Sequence, residues 1–428
     1  MVKTDLIIIG SGPGGYRAAD YAARNGLSVI VIENKRAGGT CLNEGCIPTK
    51  SLAHDAEEQR LSFEEAMKRK DEVVRQLVTG VEGLLTQPNI TVVRGTATFE
   101  DKHTVTVNGN KYCADNIIIA TGSSPKMPNI EGINSEAVVD STKLLSLQTC
   151  PKSLCIVGAG VIGMEFASIF QSFGCKVTVI EFLKECLTNM DADCAKRLRK
   201  ILEKRGIDFH MQCGVSRIEG HTVFYTNKKG KEESIDAEAI LIATGRKPNI
   251  NTLGLSAIGV NYDHKGIMAD GSMRTNVSNI YAIGDCNGQQ MLAHAATFQG
   301  FRAVNTILGK DDNIRFEIMP AAVFTLPELA GVGLTAEQAK MKGISFTEKK
   351  GFYRANGRAV SMDATEGMVK LIVGDEGLIL GCHAYGAHAA DMVQEVAALM
   401  NMDTSLKQLA DIIHIHPTLS EILQDMAR

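Results

Sequence analysis

The sequence predicts an α/β protein with two βαβ units on parallel sheets, followed by a C-terminal α+β domain. Three observations predict this. A strand, a glycine-rich turn, a helical stretch and a second strand occur together twice, beginning near Asp5 and Leu154. Each copy is later followed by an apolar run ending in Ala-Thr-Gly, at 116–122 and 239–245. After the polar linker 309–313 the pattern changes to short alternating strands among helices. A chain of 428 residues exceeds one core. The expected division is 1–150, 151–275 (with Pro151 at the boundary), a return segment 276–318, and 319–428.

The first copy runs from Asp5 through Gly10-x-Gly12-x-x-Gly15 into an alanine-rich helical stretch, and its second strand, 28–32, ends at Glu33. A helical stretch over 63–85 and a hairpin turning at Asn108-Gly109 follow. The second copy has Gly158-x-Gly160-x-x-Gly163, a helix to Phe173 and a strand 176–180 ending at Glu181. Both acids lie 18 residues beyond the third glycine. One such glycine pattern is a weak signal, but two in full strand–turn–helix context form a strong one. The first glycine permits the turn, the second admits a pyrophosphate, and the third lets helix pack on strand. The phosphates meet unpaired N–H groups at the positive helix end, and the acid accepts from ribose hydroxyls. These are two Rossmann-like dinucleotide sites. A carboxylate at Glu181, with only Lys184 among 182–187, favours NAD over NADP. Later come a strand over 279–285, a helix over 291–308, strands 367–373 and 378–385, and helices 388–400 and 418–427.

The net charge of −4 gives no reason to expect nucleic acid or an anionic membrane as partner. No apolar run reaches the ~20 residues of a membrane span. The first strand starts at once, so no leader or N-terminal module is expected ahead of it. Eleven cysteines are an odd number, and Cys113, Cys150, Cys155, Cys175, Cys186, Cys194, Cys213, Cys286 and Cys382 are scattered singly. They read as small core residues in a reducing, cytoplasmic compartment. No Cys/His group has zinc-ligand spacing, so no metal is expected.

Cys41 and Cys46 differ from the rest, standing in Gly38-Gly-Thr-Cys41-Leu-Asn-Glu-Gly-Cys46-Ile-Pro48-Thr-Lys50. Five residues of regular helix rise about 7.5 Å, too far for a disulfide. If the two bond, Cys41 must lie in a bend before a helix and Cys46 in its first turn. Gly45 and Pro48 suit that arrangement, and a cysteine at a helix N-terminus has a more available thiolate.

This run closely resembles the redox-active segment of the pyridine nucleotide–disulfide oxidoreductases, and the whole chain is most similar to their dihydrolipoamide dehydrogenase branch. The further matches are Gly163-Met-Glu165, Ala243-Thr-Gly-Arg246-x-Pro248-Asn249, Gly284-Asp285, 320–333 and His414-Ile-His416-Pro-Thr-Leu-Ser-Glu421. The resemblance implies FAD on the first unit, NAD on the second and a dimerisation domain at the end. Gly10, Gly12, Gly14, Gly15, Glu33, Gly39, Thr40, Lys50, Thr121, Gly122, Gly284 and Asp285 would hold FAD. Gly158, Gly160, Gly163, Glu181 and Gly245 would hold NAD. Cys46 would be the charge-transfer thiol facing the flavin, Cys41 the interchange thiol, and Lys50 would pair with Glu165. His416, oriented by Glu421 and acting across a homodimer, would be the base. From spacing alone this His/Glu pair reads as a surface feature, and His414 is its rival. His383 and His388 read as structural.

The implied partners are lipoyl domains of a 2-oxoacid dehydrogenase, acetoin or glycine-cleavage complex. The segment between Lys50 and Asn89 is about a dozen residues short for the family. Three alternatives stand beside this reading. One is a glutathione-type reductase, set against by the missing NADP-binding arginines. Another is an enzyme with a C-terminal redox pair, set against by the absence of cysteine beyond Cys382. The third is a flavin- or NAD-holding scaffold without turnover.

Overall fold

The computed structural model describes residues 2–428 and divides into two compact units. The first comprises the chain up to Ser51, Glu65–Lys126 and Gly245–Ile314. Its parallel strands run in the order Ile90–Arg94, Val29–Glu33, Val2–Ile9, Asn110–Ile119, Ile280–Ala282. Leu6, Ile7 and Ile8 are fully buried, as a strand covered on both faces requires. The expected hairpin is present: Thr104–Val107 returns as Asn110–Ile119, with Asn108 at φ 50° and Gly109 at φ 78°. Positive φ at both central residues is what a two-residue hairpin turn demands. The helix Pro13–Arg24 packs on Ala293–Leu308, and a Cβ added to Gly14 would lie 3.0 Å from the Ala296 carbonyl oxygen.

The second unit comprises Leu52–Glu64, Met127–Thr244 and Arg315–Arg428. Five parallel strands run Asp208–Met211, Lys176–Glu181, Ser153–Val157, Ala239–Ile242, Val138–Val139. An antiparallel meander, Gly214–Glu219, Thr222–Thr226 and Glu232–Asp236, accompanies them. The C-terminal portion is a five-stranded antiparallel sheet in the order Ala321–Val323, Glu328–Gly333, Ile379–Gly386, Met368–Gly374, Phe346–Phe352. The helices Ala389–Asn401 and Glu421–Ala427 share its core.

Alternating strands were expected here, yet Met368–Gly374 is buried from Met368 to Val373 on both faces. Helices cover both sides of it, so no polar face is left to alternate. The sheet is fastened to the helix Val161–Ser172 by two backbone donors: the Phe324 N–H to Glu165 Oε1 at 3.0 Å, and the Leu326 N–H to Ser168 Oγ at 2.9 Å. Among the described residues no helix is long and apolar enough to cross a membrane.

Candidate active site

In each glycine loop the acid at the second strand's tip folds back onto the loop. Glu33 Oε2 accepts from the Ser11 N–H (2.9 Å) and Ser11 Oγ (2.6 Å), and Oε1 accepts from the Lys35 N–H (2.7 Å). Glu181 repeats the pattern, with the Ala159 N–H on Oε2 (2.6 Å) and the Leu183 N–H on Oε1 (2.7 Å). Glu33 Oε1 and both Glu181 oxygens keep a lone pair for a ribose hydroxyl while these bonds fix each carboxylate's direction. The second glycines stand at helix N-caps, Gly12 before Pro13–Arg24 and Gly160 before Val161–Ser172. A Cβ on Gly160 would meet nothing within 4 Å, and one on Gly12 only the Gly39 Cα at 3.9 Å. Such a gap beside unpaired helix N–H groups fits a pyrophosphate in both loops.

The cysteine segment leans directly on the first loop. The Gly38 N–H donates to the Ser11 carbonyl (2.9 Å), and a Cβ on Gly39 would stand 2.6 Å from the Gly12 Cα. Both glycines have positive φ, 91° and 58°, so this approach is open to glycine alone. Cys41 was expected in a bend; it lies instead inside the short helix Gly39–Glu44. The bend is at Gly45 (φ −152°, ψ −107°), which leaves helical geometry before Cys46 opens the helix Cys46–Glu58. A side chain at Gly45 would stand 3.1 Å from the Thr40 carbonyl oxygen, so the junction is tight. Cys46 does occupy a first helical turn.

Both cysteines are half-buried thiols. A hydrogen bond to Cys46, then burial, pushes the Cys41 thiol up, while the Lys50 cation opposes that shift. The sulfurs are therefore neighbours in the dithiol state. Tyr16, on the loop's own helix, faces them closely enough that burial and then the Cys41 charge push its phenol up.

Thr121, Gly122 and Gly245 meet where Ser123–Pro125 pairs with Arg246–Pro248. Thr121 Oγ1 donates to the Asn249 carbonyl (2.7 Å), and Asn249 N–H returns to that of Gly122 (3.0 Å). Asp285 sits on the turn Gly284–Asn287 and accepts a hydrogen bond from Ser123 Oγ. Arg246 Nε donates to the same hydroxyl at 2.7 Å and lies 3.9 Å from Asp285. Buried Gln299 holds the turn through the Gly284 N–H (2.7 Å) and Asn287 Nδ2 (3.0 Å). Ser123 and Gln299 carry no sequence motif, and Arg246 was legible only as part of one.

Lys50 belongs to the first unit and Glu165, whose Oε1 takes the Phe324 N–H, to the second. His416 and Glu421 are together: Nδ1 lies 2.9 Å from Oε1, and the Thr418 N–H binds Oε2 at 2.8 Å. The Thr418 N–H, and then His416, hold the Glu421 carboxyl below its ordinary range. The imidazole is 81% exposed, which leaves it open to a reactant. In rival His414, 5% exposed, both ring nitrogens are engaged, by Glu395 (3.0 Å) and the Ile412 carbonyl (3.0 Å). His383 is buried against the Leu334 carbonyl at 2.9 Å, a packing role. The nine remaining cysteines are not all single, because the Cys150 and Cys175 thiols are close enough to shift each other's proton affinity.

Residues 4–300 match the family model described as pyridine nucleotide-disulphide oxidoreductase, and 319–427 match its dimerisation domain. The chain is 38% identical to dihydrolipoyl dehydrogenase of Bacillus subtilis, covering all of this chain and 96% of that one. It is 36% identical to dihydrolipoyl dehydrogenase 3 of Haloarcula marismortui at the same coverage. The Bacillus alignment spans 454 positions against 428 residues here, so gaps fall in this chain. Among solved structures it is similar to the HOCl-induced flavoprotein disulfide reductase RclA of Escherichia coli, with TM-score 0.92, 34% identity and 99% of each chain covered. The chain belongs to the pyridine nucleotide-disulphide oxidoreductase family.

Proposed function

We propose that the protein is a homodimeric dihydrolipoyl dehydrogenase, binding FAD at the Gly10 loop and NAD at the Gly158 loop. The observation that carries this reading is the Cys41/Cys46 dithiol, hydrogen-bonded within itself and pressed against the Gly12 loop. The partner subunit's His416, its Nδ1 held by Glu421, takes the proton of a dihydrolipoamide thiol at Nε2. The thiolate attacks Cys41 of the oxidised pair and Cys46 leaves as thiolate. The second substrate thiol then displaces Cys41, so lipoamide departs and the pair is left reduced. Bound FAD supplies the two-electron path from this dithiol to NAD. Asp285, steadied by Ser123 and Arg246, holds the flavin's side chain, and Glu33 and Glu181 hold the two adenosine riboses. Lipoyl domains of a 2-oxoacid dehydrogenase, acetoin or glycine-cleavage complex are the macromolecular partners.

The likeness to RclA favours a second reading, a disulfide reductase running toward the dithiol. Rates with dihydrolipoamide and NAD set against glutathione disulfide and NADH or NADPH separate the two. Anaerobic NADH titration tests the shared core. A long-wavelength charge-transfer band should rise in the wild type and vanish in Cys46→Ser, whose turnover should fall by about 10³-fold or more. A wild type without the band, or a serine variant that keeps it, refutes the dithiol role.

A further inference from the structure

We propose that Cys150 and Cys175 form a second redox site, a dithiol that closes to a disulfide under peroxide. They stand 25 residues apart in sequence, and the fold makes them neighbours. The strands Ser153–Val157 and Lys176–Glu181 pair in parallel from Ser153↔Lys176, and the Lys176 N–H reaches the Lys152 carbonyl at 3.0 Å. The register thereby sets Cys175 opposite Lys152, two residues from Cys150.

Cys175 is held firmly. The helix Val161–Ser172 ends at Phe173, Gly174 takes φ 85°, and the Cys175 N–H returns to the Phe170 carbonyl at 3.0 Å. That is a helix C-terminal cap closed by a glycine, which leaves the following residue one direction to take. On the other side Pro151 restricts Cys150 to extended backbone. The two thiols lie close enough to act on each other's protons, while the Cys150 Sγ faces the Pro151 carbonyl and the Cys175 Sγ the Lys176 carbonyl, each at 3.7 Å. This contact is what separates them from the other seven cysteines outside the Cys41 segment.

The two thiols are unequal. Cys150 is half-buried and Cys175 is 5% exposed. The Cys175 thiol draws the Cys150 thiol down, against burial and the nearby Glu64 and Glu238; the Cys150 thiol, followed by burial, pushes Cys175 up. Cys150 is thus the thiol that solvent reaches and Cys175 the one that resolves. The Cys150 sulfur takes one oxygen from hydrogen peroxide, giving a sulfenic acid and water. The Cys175 sulfur then attacks it, forming the S–S bond and releasing a second water. Two thiols lose two electrons and one peroxide gains them. A dithiol reductant reverses the step.

The site lies at the opposite end of the sheet from the Gly158 loop. The strand Ser153–Val157 separates them by about 16 Å. Blocking Cys150 therefore leaves nucleotide binding and turnover intact before oxidation.

The test is hydrogen peroxide titration of the flavin-loaded protein, alkylation of remaining thiols, and peptide mapping after trypsin. The expected product joins 144–152 to 153–176, is released by dithiothreitol, and is missing in Cys150→Ser. Cys155 shares the second peptide, so a Cys155→Ala variant should keep the link. Recovery of both cysteines as alkylated thiols at doses that oxidise Cys41 and Cys46 overturns the proposal. So does Cys150 advancing alone to sulfinic acid. Cys150 is only half-buried, so its serine variant carries the test even where Cys175→Ser fails to fold.

Discussion

The two glycine loops share a backbone and differ in what surrounds it. Their third glycines are fixed alike: a Cβ on Gly15 would lie 1.9 Å from the Gly10 carbonyl oxygen, and one on Gly163 2.0 Å from that of Gly158. Their first glycines are alike too, with φ 105° and 108° and added carbons 2.4 Å from the Ala120 oxygen and 2.6 Å from the Ala243 oxygen. The positions between them diverge. Gly12 has Gly39 at its back, and Gly14 lies under Ala296. Gly160 faces open space, and the counterpart of Gly14 is Ile162, half-buried. The first loop is thus enclosed by the cysteine segment and a second helix, while the other is open on that side. Enclosure suits a resident cofactor, and openness suits one that exchanges at every turnover.

The largest effects expected come from the third glycines. Gly15→Ala and Gly163→Ala both drive a methyl into a carbonyl, costing about 3 kcal/mol or more locally. The first should give protein without bound flavin and with a lowered melting temperature. The second should keep its yellow colour while the NADH KM rises about 10-fold or more. Flavin content by absorbance and NADH kinetics read both. Equal loss of flavin in the two variants breaks the comparison.

Smaller effects come from the neighbouring position. Gly14→Ala places a methyl 3.0 Å from the Ala296 oxygen and 3.1 Å from Ile283 Cδ1. That overpacking, about 1–3 kcal/mol, exceeds the 0.5–1 kcal/mol that alanine offers a helix over glycine. Ile162→Ala, half-buried in the other unit, should cost about 1 kcal/mol. Urea midpoints of the two variants measure the difference. A stabilised Gly14→Ala variant means that the helix pair has room to part.

The repeat was legible because glycine, strand and acid stand at fixed spacings that chain-local geometry imposes. The cysteine segment was legible for the same reason. Where contacts are set by sheet register the sequence was silent. Cys150 and Cys175 meet only through the pairing of Ser153 with Lys176. Ser123 reaches Asp285 across 162 residues, and Gln299 reaches the Gly284 turn from a helix of ordinary composition. The strand Glu328–Gly333 escaped because burial on both faces and glycine content erase alternation, and Phe346–Phe352 because it is an edge strand whose middle is an exposed polar and charged run. The meander at 214–236 went unread for a different reason. Its strands are short, and they add to a nucleotide unit whose parallel core was already accounted for.

The smallest effect separates the loops by one hydroxyl. Ser11 Oγ gives Glu33 a third donor, where Ala159 gives Glu181 only its N–H. Ser11 is fully buried, so Ser11→Ala removes a charge-assisted bond without offering water in its place. The carboxylate keeps the Ser11 and Lys35 N–H groups, which limits the loss to about 1.5 kcal/mol. That loss should appear as weaker flavin retention during dialysis against potassium bromide. The reciprocal Ala159→Ser gives Glu181 its missing donor but must fit an oxygen where Ala159 is 1% exposed. Gain and crowding offset, so the NADH KM should move by less than about 3-fold. Flavin retention unchanged in Ser11→Ala would mean that the hydroxyl adds nothing to the first loop, and enclosure by Gly39 and Ala296 alone would then distinguish the two.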